Sequence, residues 1–193
     1  EGTRLSNPVT AIKRPPDSRA RARRLTPFER QKLLSEVERS GNRVLHSATM
    51  IALETAMRQG EILKLKWSDI DFDRGQIAVQ NTKNGSNRVI VMSSKLEAHL
   101  LANEQSVGPL FVISASGLQQ AFRKFVRQLQ MHDLRFHDLR HEAISFFFEM
   151  GLSVPEVQLM SGHRTIDQLM RYSHAGIMAV KSKLRSSDEQ NYG

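Results

Sequence analysis

The sequence predicts a mainly α domain with one small three-stranded antiparallel sheet, an α+β arrangement. Three observations lead there. Apolar residues recur at helical spacing over most of the 193 residues. Several of those stretches open on a Ser or Thr followed three residues later by Glu or Gln, the signature of a capping box. One stretch alone, "DIDFDRGQIAVQNTKNGSNRVIVMS", alternates apolar with polar residues and is broken by the turn signals Asp73-Arg74-Gly75 and Asn84-Gly85.

Taken in order, the chain begins with residues 1–24, rich in Pro and Arg and without apolar periodicity. They read as a basic linker following another domain, and the folded domain is expected from 25 to 193. Thr26 and Glu29 cap the first helix, with Pro27 suited to its first turn. A second helix over about 43–57 buries Leu45, Ala48, Ile51, Ala52 and Met57, and "EILKLKW" adds a short helical piece. Strands are expected near 70–73, 76–82 and 88–93. Helices resume near 94–104, 117–131 and 139–150. Ser153 with Glu156, and Thr165 with Gln168, are two further capping boxes that start helices near 154 and 166. In the last of these, Ile166, Leu169, Met170, Ile177 and Val180 form a stripe that predicts its core face, with a tail from about 176.

Composition narrows the function. No run of about 18 apolar residues exists, so no membrane-spanning helix is predicted. The absence of cysteine excludes disulfides and thiolate metal sites and fits a reducing cytoplasm. A net charge of +8 suggests a polyanionic partner. Its distribution is uneven: residues 1–24 contribute +5, leaving +3 for the rest.

The chemistry-bearing groups cluster late. Residues 137–175 hold four of the seven histidines, three arginines and one of the two tyrosines. His137 and Arg140 share a face at a helix start, where a basic pair opposes the macrodipole unless an anion sits between them. Phosphate suits the planar fork of an arginine. His163 precedes a helix start, and Tyr172, nine positions later, falls on the flank of an apolar stripe. Arg58 ends the second helix, with Gly60 and Glu61 beside it, and Lys83 sits at a hairpin tip. Singly, each has a bland reading: a half-buried tyrosine, a satisfied turn histidine, a solvated lysine. His137 and His141 are spaced to ligate zinc, but Arg140 between them sets a fixed positive charge beside any ion, so no metal is expected.

Four strings in order, "TAMRQGEILKLKWSDID", "TKNGSNRVIVMS", "FHDLRHEAIS" and "LMSGHRTIDQLMRYSHA", resemble the catalytic domain of the tyrosine site-specific recombinases, also called the phage integrase family. The resemblance covers about Leu25 to Ala175. It implies the DNA breaking-rejoining fold, and cleavage and rejoining through a 3′-phosphotyrosine without metal, cofactor or ATP. By position, Arg58 and Arg140 would clamp the scissile phosphate, His163 would add a donor, and Lys83 would protonate the departing 5′ oxygen. His137 would assist proton transfer at the nucleophile Tyr172, with Glu61 and His141 as supports behind them. Residues 1–24 would then end a core-DNA-binding domain. Double-stranded DNA, a homo-tetramer on that DNA with a monomer in its absence, and accessory DNA-bending proteins are the implied partners. A bacterial or phage-infected cytoplasm is the implied place, and a phage or other mobile element the implied source. Ser161 departs from the family's usual aliphatic residue before the "GH", a change expected to touch packing and not chemistry. Tyr192 lacks a basic constellation and is rejected as nucleophile. Type IB topoisomerase-like relaxation and a non-catalytic DNA-binding regulator are the alternatives; Lys83 and Tyr172 would have no task in the latter.

Overall fold

The computed structural model describes residues 23–80, 87–104 and 107–172, with 176, 177, 180, 181, 183 and 185 beyond them. Within these residues the order is α1 (Pro27–Arg39), α2 (Arg43–Thr55), α3 (Gln59–Ile62), β1 (Ile70–Asp71), β2 (Gln76–Val79), β3 (Arg88–Val91), α4 (Ser94–Leu101), α5 (Ala115–Gln128), α6 (Asp138–Glu149), α7 (Val154–Ser161) and α8 (Asp167–Met170). The expected class, mainly helical with a small antiparallel sheet, is the observed one.

Local signals set most boundaries. Glu29 N donates to Thr26 Oγ1 at 3.1 Å and Thr26 N to the Glu29 carboxylate at 2.9 Å, closing the first capping box. Helix α2 is the centre of the molecule: Leu45, Ala48, Ile51, Ala52 and Leu53 are buried, and α1, α4 and α6 pack around it. It stops at Thr55 because Ala56 takes a left-handed φ of 55°. The sheet runs β1-β2-β3, all antiparallel, with Ile77 opposite Ile90 on the buried face. Its strands are shorter than the alternation suggests. The hairpin tip, with Lys83, lies outside the described residues.

The last helix differs from expectation. The Thr165–Gln168 capping box does not form: Ile166 is the N-cap, and the Gln168 side-chain oxygen accepts from Arg164 N at 3.2 Å. The predicted core stripe is also overturned. Leu169 is buried, but Ile166, Met170, Ile177 and Val180 are exposed. A stripe reaching i+14 presumes one continuous helix, and α8 ends after four residues, so the phase is lost.

Two apolar clusters result. The larger joins α1, α2, α4, α5 and the sheet; the smaller gathers Ala143, Ile144, Phe147 and Phe148 of α6 with Val157, Leu169 and Tyr172. The chain before α1 is tied to this second region. Glu142 of α6, almost fully buried, accepts from Arg24 Nε at 2.8 Å and from Leu25 N at 2.9 Å. Among the described residues no helix is long and apolar enough to cross a membrane.

Candidate active site

Arg58 stands at the N-cap of α3, where Glu61 at N3 reaches back to it. The carboxylate accepts from Arg58 N at 2.9 Å and from Arg58 Nη1 at 3.1 Å, while Nη2 donates to the Gly162 carbonyl at 3.1 Å. The Arg58 side chain keeps 43% exposure and faces an open groove of about 1280 Å³. Glu61 has a second partner that sequence reasoning missed. Arg88 of β3 donates to both its oxygens, at 3.1 and 2.8 Å, and is itself only 11% exposed. Burial alone would raise the Glu61 carboxyl, but hydrogen bonds and charge from Arg88 and Arg58 hold it at about 2. The signal for Arg88 was present: it shares a strand face with buried Ile90, and a charge on an inward face needs a buried partner.

Arg140 comes from α6 and is 4% exposed. Its Nη1 donates to the carbonyls of Ala56 and, at 2.8 Å, of Ser161; its Nη2 lies 3.2 Å from His163 Nε2. Ala56, Ser161 and Gly162 end helices, where backbone carbonyls lack intrahelical partners and the macrodipole is negative. Both arginines are therefore held by helix C-termini. Burial, then the charge of Arg58, lowers the Arg140 guanidinium to about 10, which leaves it cationic at neutral pH.

His163 follows Gly162, whose left-handed φ of 65° turns the chain out of α7. Its Nδ1 is 2.8 Å from Ser161 Oγ, and Gln158 Nε2 binds its carbonyl at 3.0 Å. Burial and then the charges of Arg140 and Arg58 push the imidazole down to about 4. Tyr172 is 8% exposed, and its hydroxyl is hydrogen-bonded to His141 Nδ1, the two rings stacked with centroids 5.9 Å apart. Burial raises the phenol above its ordinary range, against the charges of Arg171 and Arg140. His141 is itself lowered to about 4, first by burial and then by His137. His137 lies edge-on to His141 with centroids 4.8 Å apart.

Of the eight residues singled out, seven are thus described, and they converge from α3, α6, the turn after α7 and the end of α8. Lys83 lies outside the described residues, but its hairpin strands supply Ala78, Val79, Gln80 and Arg88 to the wall of the groove that Arg58 and His163 also line. The arrangement sets cationic donors near a phenol that is hydrogen-bonded to an imidazole. It suits displacement at an anionic phosphorus. Among the described residues no group of three His, Cys, Asp or Glu is set to hold a metal ion.

Known proteins resemble this chain in sequence and in fold. Residues 23–177 match the sequence profile of the phage integrase family. Over 191 residues the chain is 42% identical to the shufflon-specific DNA recombinase of Escherichia coli, covering 98% of this chain and 50% of that protein. It is 27% identical over 183 residues to the integrase of Salmonella phage P22, covering 84% of this chain and 46% of that one. The chain therefore spans about half the length of these curated relatives. Among solved structures, the catalytic domain of bacteriophage HP1 integrase superposes with a TM-score of 0.66 at 26% identity, covering 88% of this chain and 98% of that one.

Proposed function

The chain belongs to the phage integrase family, and from that membership we propose that it is the catalytic part of a site-specific recombinase that cuts and rejoins double-stranded DNA through a 3′-phosphotyrosine. One observation carries the reading: the Tyr172 hydroxyl is hydrogen-bonded to His141 on the same helix that holds Arg140, with His163 and Arg58 alongside.

The reaction follows from the donors and acceptors. Tyr172 Oη attacks the phosphorus, its proton passes to His141 Nδ1, and the bond from phosphorus to the 5′ oxygen breaks. His137, edge-on to His141, supports that imidazole. Arg58 and Arg140 donate to the non-bridging oxygens as charge builds there. Lys83, between β2 and β3 in sequence, protonates the leaving 5′ oxygen. The ester to tyrosine keeps the bond energy, so a free 5′ hydroxyl reverses the step without ATP or metal.

One such site cuts one strand, so exchange between two duplexes requires four; the active assembly on DNA is a tetramer, and the chain alone a monomer. Accessory DNA-bending proteins would assist in juxtaposing sites, and the setting is the cytoplasm of a bacterial or phage-infected cell. The basic stretch 1–24 serves as a linker, and the catalytic domain with its tail follows. Relaxation without partner exchange, and regulation without catalysis, find less support: the relatives are named recombinases and integrases, and a mere regulator would not need a tyrosine docked on a histidine.

A nicked oligonucleotide that loses its 5′ fragment after cleavage traps the covalent complex. The 193-residue chain should give an SDS-resistant adduct, and Tyr172→Phe should bind the same DNA and give none. An adduct from the Phe variant would remove Tyr172 as nucleophile. Relaxation of supercoils with no strand exchange would favour the topoisomerase reading.

A further inference from the structure

Ser161 was expected to affect packing alone, yet its buried hydroxyl sits at the centre of the site's proton arrangement. The hydroxyl carries one hydrogen, and it is committed: Ser161 Oγ donates to the Val157 carbonyl, four residues back, at 2.6 Å. A carbonyl cannot donate, so no other direction is open. Toward His163 Nδ1, at 2.8 Å, the same oxygen has only lone pairs to offer, and Nδ1 must carry the hydrogen. A second contact gives the same answer independently. Arg140 Nη2 lies 3.2 Å from His163 Nε2, and a guanidinium donates but never accepts, so Nε2 presents its lone pair.

We propose that Ser161 is a positioning residue that fixes His163 in the Nδ1–H tautomer, leaving an unprotonated Nε2 beside Arg140 at the edge of the groove. The proposal rests on the reading of this groove as the phosphate site. Its consequence is specific. A neutral His163 in this tautomer cannot donate to a phosphate oxygen. It becomes a donor only by taking a proton on Nε2, and it keeps the bond from Nδ1–H to Ser161 while doing so. Four groups weigh on that protonation, Arg140, Arg58, Arg171 and His141, and after burial they hold His163 neutral without DNA. An arriving phosphate offsets those charges. The Ser161 carbonyl also accepts from Arg140 Nη1 at 2.8 Å, so one residue orients both groups that flank the anion. An aliphatic side chain at 161 would keep the carbonyl contact and lose the tautomer control.

Long-range proton–nitrogen correlation spectra of the histidine-labelled 193-residue chain, free of DNA and near neutral pH, identify which ring nitrogen is protonated. The His163 signals are assigned by their loss in His163→Gln. The wild-type chain should show His163 with hydrogen on Nδ1 alone. Ser161→Ala should show a population with hydrogen on Nε2, and trapped cleavage should slow roughly tenfold, the worth of one hydrogen bond. A wild-type His163 protonated on Nε2 overturns the proposal without need of any variant. So does a Ser161→Ala chain whose His163 stays wholly in the Nδ1–H form. Absence of cleavage by the wild-type chain would instead count against the recombinase reading and leave the tautomer result standing.

Discussion

Gly162→Ala tests how tightly the phosphate clamp is built. Two costs are readable from the structure. The residue has φ of 65°, and placing an alanine in the left-handed region costs about 1–2 kcal/mol. The added Cβ would also lie 2.7 Å from the Arg88 Cζ and Nη1, where ordinary contact begins near 3.4 Å. Arg88 must retreat, and it is not free to do so without loss, because both its amino groups bind Glu61 at 3.1 and 2.8 Å. Losing one such charge-assisted bond costs roughly 1.5–3 kcal/mol. The total is about 2.5–5 kcal/mol, read as a lower denaturant midpoint with unchanged slope. The same substitution made on Arg88→Ala should cost only the backbone part, about 1–2 kcal/mol, because the obstructing guanidinium is gone. Adduct formation should fall as well, since Arg58 relies on Glu61 and on the Gly162 carbonyl for its placement. Equal costs in the two backgrounds would refute the steric reasoning.

Two further outcomes follow from the same geometry. Arg140→Lys keeps the charge but cannot reach Ala56, Ser161 and His163 together, so trapped cleavage should drop on the order of a hundredfold; near-normal adduct yield would remove Arg140 from the clamp. Stability should fall in two acid steps. His141 and His163 are about 4 when folded against 6.5 ordinarily, so the unfolded chain binds more protons between those values, and stability full above pH 6.5 declines toward pH 4. Glu61, at about 2 against 4.5, contributes stability above pH 4.5 that is lost on the way down to 2. Urea midpoints measured at intervals from pH 7.5 to 3 check both, and a midpoint unchanged between pH 7 and 4.5 would contradict the histidine step.

Local chemistry was legible in the sequence, and long-range packing was not. The Thr26–Glu29 and Ser153–Glu156 caps involve residues three apart, so their spacing was sufficient. The Thr165–Gln168 pair has the same spacing and fails, because the turn after Gly162 hands Gln168 to Arg164 instead. The strings pointed to Arg58, Arg140, His163 and Tyr172 as one set, and the fold brings them together. Which histidine meets Tyr172 was beyond spacing alone. His137 and His141 are one helical turn apart, and the choice depends on how the end of α8 seats against α6. Ser161 shows the opposite failure: its identity was noticed, but its role needs the positions of Val157, Arg140 and His163 at once.

The clamp also explains how a site rich in arginine persists without its anion. Burying Arg140 unpaired would be strongly unfavourable, and Glu61, a carboxylate whose charge bears on it, is committed to Arg58 and Arg88. Backbone carbonyls do the work instead. Ala56 and Gly162 both adopt left-handed φ, which ends α2 and α7. The carbonyls freed at those two ends accept the guanidiniums. For Ala56 this conformation stores strain of about 1–2 kcal/mol, at a position whose carbonyl meets Arg140. Within Arg140 the two amino groups then have separate tasks. Nη1 is held by two carbonyls, while Nη2, among the described residues, bonds to His163, which lines the groove. An anion can therefore engage Nη2 without dislodging the side chain. Such preorganisation lets the charge stabilise the transition state with little rearrangement.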